Sequence, residues 1–394
     1  MNPVRRFFNA LHPYVEPGGK YEKLYAFYES IETVFFAPLE RTRRLPAVRD
    51  SLDVKRYMFL VIVALIPHLC FGIYNAGYFA RLASGLSVAP VPVVLTGLWL
   101  VMPMVLVTYA VGFFWEIVFA TIRKHEISEG LFVTCMLFPL TLPPATPLWQ
   151  VALGISFGIV IGKEIFGGTG RNFLNPALTA RAFLYFAYPV SLSGDNVWSV
   201  LVGGAERYVD GYTAATPLSV AAATPDGQTV EAALEALGYS PLELFFGLYP
   251  GSVGGTTTFL SILGAIFMVV LGIASWRTIL GGVLGVLATA YFLNWIAGPE
   301  SMPFLSLNPY YHLLIGGSAF ALVYMTTDPV SGTHMKGVKW FYGFMCGLLT
   351  VLIRVFNPAF PEGVGLAILF MNCFNPLLDY IEVKIRTRRR VPNV

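Results

Sequence analysis

From Pro90 to Ile122 the chain carries a single charged side chain, Glu116. A helix crosses a hydrocarbon core with about 20 apolar residues. In that medium each backbone N–H and C=O must be satisfied internally, so an apolar run this long commits the chain to a bilayer as helix. Nine further apolar runs repeat the argument. Five runs precede a long polar loop, at about 57–76, 90–122, 129–142, 149–163 and 173–189. Five follow it, at about 257–274, 278–297, 309–325, 337–356 and 363–378. The second is long enough to be strongly tilted or to be two helices. Charged residues make up 12% of the chain, where a soluble domain carries about 25%. The sequence predicts an all-α polytopic membrane protein with about ten transmembrane helices. The net charge of +3 is too small to point to nucleic acid. Residues 1–56 are basic and polar with no apolar h-region, so no cleavable signal is expected.

Lysine and arginine orient the runs. Arg123 and Lys124 follow the second, Lys163 and Arg171 the fourth, Arg277 the sixth, and Lys336 and Lys339 the eighth; Arg81 is the main exception. The tail holds Lys384, Arg386, Arg388, Arg389 and Arg390, and the first 56 residues hold ten Lys/Arg. The loop at 190–256 has seven acids and only Arg207. Both termini are expected in the cytoplasm and the loop outside. Phe173-Leu174-Asn175-Pro176-Ala177-Leu178 resembles Cys373-Phe374-Asn375-Pro376-Leu377-Leu378, near the fifth run of each half. Leu140 to Pro143 and Met325 to Pro329 likewise end the third runs. With five runs per half the second copy enters from the opposite side, the inverted-repeat plan of many transporters, whose sites lie at helices broken by Gly and Pro. Both Asn-Pro pairs are expected to be such breaks. The expected divisions are an arm (1–56), a first repeat (57–189), the loop (190–256), a second repeat (257–380) and a basic tail (381–394).

Several residues could carry chemistry. In the loop, Asp210-Gly211 is a turn signal, and Thr213, Ala214 and Ala215 lead to the unhindered hydroxyl of Thr216. Gly162 to Asn172 is the most polar and Gly-rich stretch inside the membrane region, and Thr169, Asn172, Asn175 and Arg181 supply donors there; the same groups could instead satisfy a helix break. Glu116 is a carboxylate well inside an apolar run, a placement costing roughly 2.5–3.5 kcal/mol and kept mainly for ion paths, proton relays or paired networks. Asp328 and Asp379 lie nearer the ends of their runs, and Asp328 could simply cap a turn. Tyr21, Leu24, Tyr25, Tyr28, Ile31 and Phe35 recur at helical spacing, as a surface helix or as one wall of a site for a hydrophobic ligand. Cys70, Cys135, Cys346 and Cys373 show no metal-ligand spacing and read as small buried hydrophobes. No Gly-x-Gly-x-x-Gly follows a strand, so no dinucleotide site is expected.

His12 to Lys20, Val48-Arg49-Asp50-Ser51, Tyr74 to Gly77, Arg123 to Glu126, Gly162 to Leu178 and Asp210 to Leu218 together resemble the B component of the Na+-translocating NADH:quinone oxidoreductases. The similar D component of Rnf complexes, which serves ferredoxin and NAD electron transfer, lacks the Glu-Pro-Gly-Gly-Lys arm seen here at Glu16 to Lys20. The resemblance implies FMN joined by a phosphoester to Thr216, attached by a flavin transferase that reads Asp210, Thr213, Ala215 and Thr216. Ala214 stands where the family more often has Gly. It implies a non-covalent riboflavin held by Asn172, Asn175, Arg181 and Thr169. Ubiquinone would be reduced near Gly112, Tyr25 and Tyr28, and Na+ would pass Glu116, Asp328 and Asp379. The partners implied are the other members of a six-subunit complex, which bring electrons from NADH. Adding an electron to a group in low dielectric favours entry of a compensating cation, which is the coupling expected for Na+. A non-redox protein resembling urea channels is the reading from another class.

Overall fold

A computed structural model describes residues 3–16, 19, 21, 25, 28, 32, 54–123, 127–298, 300–357 and 362–389. Among them every regular element is helical. An amino-terminal helix, α1 (Pro3–Val15), precedes α2 (Val54–Ala83), α3 (Pro90–Arg123), α4 (Gly130–Leu140), α5 (Leu148–Val160) and α6 (Pro176–Ala187). The loop carries α7 (Pro217–Ala223), α8 (Val230–Ala236) and α9 (Pro241–Phe246). Then come α10 (Thr258–Val270), α11 (Trp276–Ile296), α12 (Ser318–Tyr324), α13 (Lys336–Phe356) and α14 (Val364–Arg389).

The ten apolar runs are all helical, but they are not ten full spans. Among the described residues six helices are long and apolar enough to cross a membrane. The other four runs give α4, α6, α10 and α12, of 7 to 13 residues. At 1.5 Å per residue the longest of these reaches about 20 Å, short of a core about 30 Å thick. The second run is one helix, not two, running through Pro103.

Short helices leave orphan carbonyls, and the fold satisfies them from elsewhere. At the end of α4, Leu140 and Leu142 accept from the backbone N–H of Gly254 (2.7 Å) and Val253 (3.1 Å), just before α10. From α2, Asn75 donates to the Tyr249 carbonyl and a ring nitrogen of His68 lies 2.9 Å from that of Gly254. In the first half α2 packs on α3, α3 on α4 and α5, and α5 on α6; in the second α11 packs on α13, α13 on α14, and α10 on α12. Across the halves α2 meets α10 and α6 meets α14, so first runs pair with each other and fifth runs with each other. The α11–α13 contact is close enough to need glycine. A Cβ on Gly285 would lie 2.1 Å from the Phe344 carbonyl oxygen, and one on Gly347 2.1 Å from that of Gly282.

Several expectations are corrected. Asn175-Pro176 begins α6, with Asn175 Oδ1 accepting from the Ala177 and Leu178 N–H groups. Asn375-Pro376 breaks nothing: Pro376 lies inside the continuous α14, and Asn375 Nδ2 donates to the Ser331 carbonyl. Lys163, expected beside the membrane, is 3% exposed and ion-paired. Of the cysteines, Cys135 and Cys346 are buried, whereas Cys70 and Cys373 face outward. The 190–256 segment is a packed layer rather than open loop. Leu218, Leu234 and Leu244 share a core with Val286, Leu293 and Val355 of α11 and α13.

Candidate functional site

Thr216 is the N-cap of α7, its Oγ1 accepting from the Ser219 N–H at 3.1 Å. Pro217 follows at the first helical position, where its missing N–H costs nothing. The approach is a chain of small turns. Thr213 Oγ1 accepts from the Ala215 N–H (3.2 Å), and the Ala215 carbonyl accepts from the Tyr239 hydroxyl (2.7 Å). Tyr212 shares a 2.5 Å hydrogen bond with Ser199. Burial, helped by the neighbouring Tyr208, pushes the Tyr212 phenol up to about 12, with the Ser199 bond pulling the other way. Asp210 is exposed, open to a second protein.

Thr216 opens onto a cavity of about 400 Å³, within the size range of cofactor sites. Its walls come from the loop layer (Thr216, Ser219), the turn before α10 (Gly255, Thr256) and the turn before α12 (Gly316, Gly317). Glu362 also lines it, and Arg181 is ion-paired to Glu362.

Thr169, Asn172 and Asn175 converge on a second place, a narrow crevice that Asp328 and Lys163 also line. It holds only about 50 Å³, but it shares Tyr57, Met58, Thr169, Pro329 and Val330 with a recess of about 840 Å³ that Glu116 and Arg123 line. Asn172 Nδ2 donates to the Leu174 carbonyl, while its buried Oδ1 has no partner among the described residues, so a ligand donor could satisfy it. Arg181 does not join these residues. It lies beside the first cavity.

Glu116 belongs to a paired network. Its carboxylate accepts from Lys163 Nζ and from the Ser128 N–H at 3.1 Å. Lys163 Nζ also lies 3.3 Å from Glu164, which pairs with Arg123 at 2.8 Å. Two acids and two bases thus cancel, with Glu116, Lys163 and Glu164 buried and Arg123 exposed at the recess. The other carboxylates serve turns. Asp328 accepts from Ser331 Oγ (2.5 Å) and from the Val330 and Ser331 N–H groups. Asp379 accepts from Thr333 Oγ1 (2.5 Å) and the His334 and Met335 N–H groups at the start of α13, and it lines neither the crevice nor the recess.

The quinone candidates separate. Gly112 is packed inside the core, where a Cβ would lie 2.5 Å from Cys135 Sγ. Tyr28 donates to the Phe8 carbonyl (2.9 Å) in a small cluster with Phe8 and Val15, and Tyr25 is exposed. Leu24, Ile31 and Phe35 lie outside the described residues. Sequence reasoning missed Glu164, Glu362 and Arg354. The signal for Arg354 was there, since a lone Arg in an apolar run demands a partner.

Residues 41–388 match the NQR2, RnfD, RnfE family. The chain is 46% identical over 409 residues to the B component of the Na(+)-translocating NADH-quinone reductase of Chromohalobacter salexigens, covering 98% of this chain and 96% of that one. It is 44% identical over 415 residues to the component of the same name from Ectopseudomonas mendocina, and 42% over 416 residues to that from Yersinia pestis, each covering 98% of both chains. The chain belongs to the NQR2, RnfD, RnfE family.

Proposed function

We propose that this chain is the B component of a Na+-translocating NADH:ubiquinone reductase, a membrane subunit that carries FMN on Thr216 and a riboflavin in the recess beside Asn172. The observation that carries this reading is the position of Thr216, at the end of the Asp210–Thr216 motif with its hydroxyl on the wall of a cavity of cofactor size. Bound there, flavins supply transfer of single electrons between partner subunits and quinone. This chain's part is to hold them. Thr216 provides the ester oxygen, exposed Asp210 offers a contact to a flavin transferase, and Thr213 with Ala215 fixes the turn. Thr169 lines both the recess and the crevice and provides a polar contact, the unpartnered Asn172 oxygen provides another from the adjoining crevice, and Asn175 holds the start of α6. Na+ is cargo. Glu116 faces the recess and Asp328 the crevice, so a cation passing there would compete with Lys163 for Glu116.

The arm favours the quinone reductase over the D component of an Rnf complex. The family match begins at residue 41, whereas the NADH-quinone reductase relatives align over 98% of the chain and so take in nearly all of the preceding arm. The pairing of first with first and fifth with fifth runs supports two inverted repeats, and the Lys/Arg distribution supports both termini cytoplasmic and the Thr216 layer periplasmic. Partners are the other members of a six-subunit complex. Intact mass and in-gel flavin fluorescence on the wild type and Thr216→Ala, both made with the host's transferase, test the assignment. The expected result is one FMN less one water on the wild type alone. An unmodified wild type, or equal labelling of both, would overturn it.

A further inference from the structure

A buried cation stands behind the wall of the Thr216 cavity, and the attachment motif does not account for it. Arg354 of α13 is 0% exposed. Its guanidinium donates to four backbone carbonyls, those of His312 (2.6 Å), Ile315 (3.0 Å), Gly316 (3.2 Å) and Glu362 (3.2 Å). Among the described residues no carboxylate oxygen pairs with it. The Glu362 carboxylate, on the cavity wall, is taken by Arg181. Two guanidiniums therefore face one carboxylate, leaving one surplus positive charge. Gly316 and Glu362, whose carbonyls accept from Arg354, both line the cavity, and Gly317 lines it beside Gly316. Both glycines have φ near +66°, and a Cβ on Gly316 would lie 2.8 Å from Arg354 Nη2, so Gly316 fits against the guanidinium only without a side chain. By taking the carbonyl oxygens of Ile315 and Gly316, Arg354 turns the negative ends of those peptides toward itself. On the adjoining wall Thr256 Oγ1 is buried (2% exposed) and without a partner among the described residues, at the start of the 13-residue α10. A surplus cation, an unpartnered hydroxyl and a helix start make a wall for a group that is rich in acceptors and gains negative charge.

We propose that this wall is the electrostatic half of a ring site: the cavity takes the isoalloxazine system of the flavin on Thr216, and Arg354, with the Arg181–Glu362 pair, raises its midpoint potential. The inference rests on the Thr216 reading above. The step concerned is addition of one electron, drawn from NADH through the upstream carriers and later passed toward quinone. The ring gains one negative charge, and no bond is made or broken. Arg354 is a positioning residue, because it acts through the Gly316–Gly317 turn and through its field.

The test is a spectroelectrochemical titration of the purified whole complex, following the flavin that Thr216→Ala removes. Glu362→Gln, which adds a net positive charge, should raise the potential. Arg181→Gln and Arg354→Gln should lower it, and Arg354→Lys should stay near wild type. Each charge change is expected to alter the one-electron equilibrium at least tenfold, or about 59 mV, with the other flavins unmoved. Loosened packing would not give opposite signs for Glu362→Gln and Arg181→Gln. If Arg354→Gln fails to assemble, those two partly exposed positions still decide the matter. Shifts of the same sign, or potentials unchanged with the covalent flavin in place, would overturn this inference alone. Absence of covalent flavin from the wild type would instead overturn the Thr216 assignment.

Discussion

Replacing Glu116 by Gln and Lys163 by Met, singly and together, tests whether the buried charges act as one unit. Lys163 Nζ bridges Glu116 and Glu164, lying 3.3 Å from the latter. At that separation and an effective dielectric near 20, one pair interacts by roughly 5 kcal/mol. Removing one member of a buried pair costs about 3–5 kcal/mol, because the remaining charge keeps its desolvation penalty. Glu116→Gln leaves Lys163 its second carboxylate, so the loss should fall near the lower end. Lys163→Met leaves Glu116 with the Ser128 N–H, so the loss should fall near the upper end. The double variant restores neutrality and keeps the Arg123–Glu164 pair. Its loss should fall short of the sum of the singles by about 2–3 kcal/mol. The assay is unfolding in mixed micelles titrated with dodecyl sulfate, followed by tryptophan fluorescence. Single effects that add to within about 0.5 kcal/mol would refute the reasoning. Na+ dependence in the assembled complex supplies a second readout. If Glu116 faces passing cations, Glu116→Gln raises the Na+ concentration for half-maximal turnover; an unchanged requirement would leave the network a structural support.

Three further outcomes follow from individual contacts. Gly347→Ala should cost about 1–3 kcal/mol in the same titration, since its Cβ would lie 2.1 Å from a backbone oxygen of α11; an unchanged midpoint would mean that α11 and α13 are not so close. Asp379→Ala should cost about 1–2 kcal/mol by uncapping α13 while leaving the Na+ requirement unchanged, and a raised requirement would put Asp379 on the ion path after all. Tyr212 gives a pH dependence: its folded pKa is raised from the ordinary 10 to about 12, so the native loop holds its proton while the unfolded chain releases it. That stability is present in full below pH 10 and is lost as pH rises toward 12. Tyrosinate absorbance and loop proteolysis should therefore rise together in that window, and Tyr212→Phe should abolish the link.

The spans were the legible part of this chain, because the bilayer dictates them. The second run was expected at 90–122 and is Pro90–Arg123; the ninth was expected at 337–356 and is Lys336–Phe356. Which runs stop short was not legible. An apolar run reads the same whether it crosses or turns back, and the difference lies in who takes its last carbonyls. For α4 the takers are Val253 and Gly254, more than a hundred residues away. Proline misled for a related reason. Pro376 removes one N–H donor, which a helix packed on neighbours tolerates, so the same Asn-Pro pair starts α6 and is absorbed in α14. In the candidate site, the motif ending at Thr216 was legible as sequence, whereas the cavity beside it was not, since its walls come from three distant turns.

Charge is where sequence reading went furthest astray, because a base at the end of an apolar run has two meanings. The topology rule takes it for an anchor in a cytoplasmic loop. Lys163 sits where that rule expects an anchor, three residues past the end of α5, yet the chain turns there into a 3₁₀ segment, Glu164–Phe166, and both Lys163 and Glu164 are buried. Glu116 did announce that a partner was needed. Arg123, Lys163 and Arg171 were all of the right sign, and only the turn after α5 selects among them. Arg354 goes a step further, since its run offers no acid at all. What neutralises part of its burial cost is backbone: carbonyls that a broken helix leaves free. Gly316 and Gly317 mark that break in the sequence, thirty-odd residues before the arginine that fills it. A buried arginine without an acid in its own run is therefore a reason to search other runs for paired glycines, and here that search leads to the wall of the Thr216 cavity.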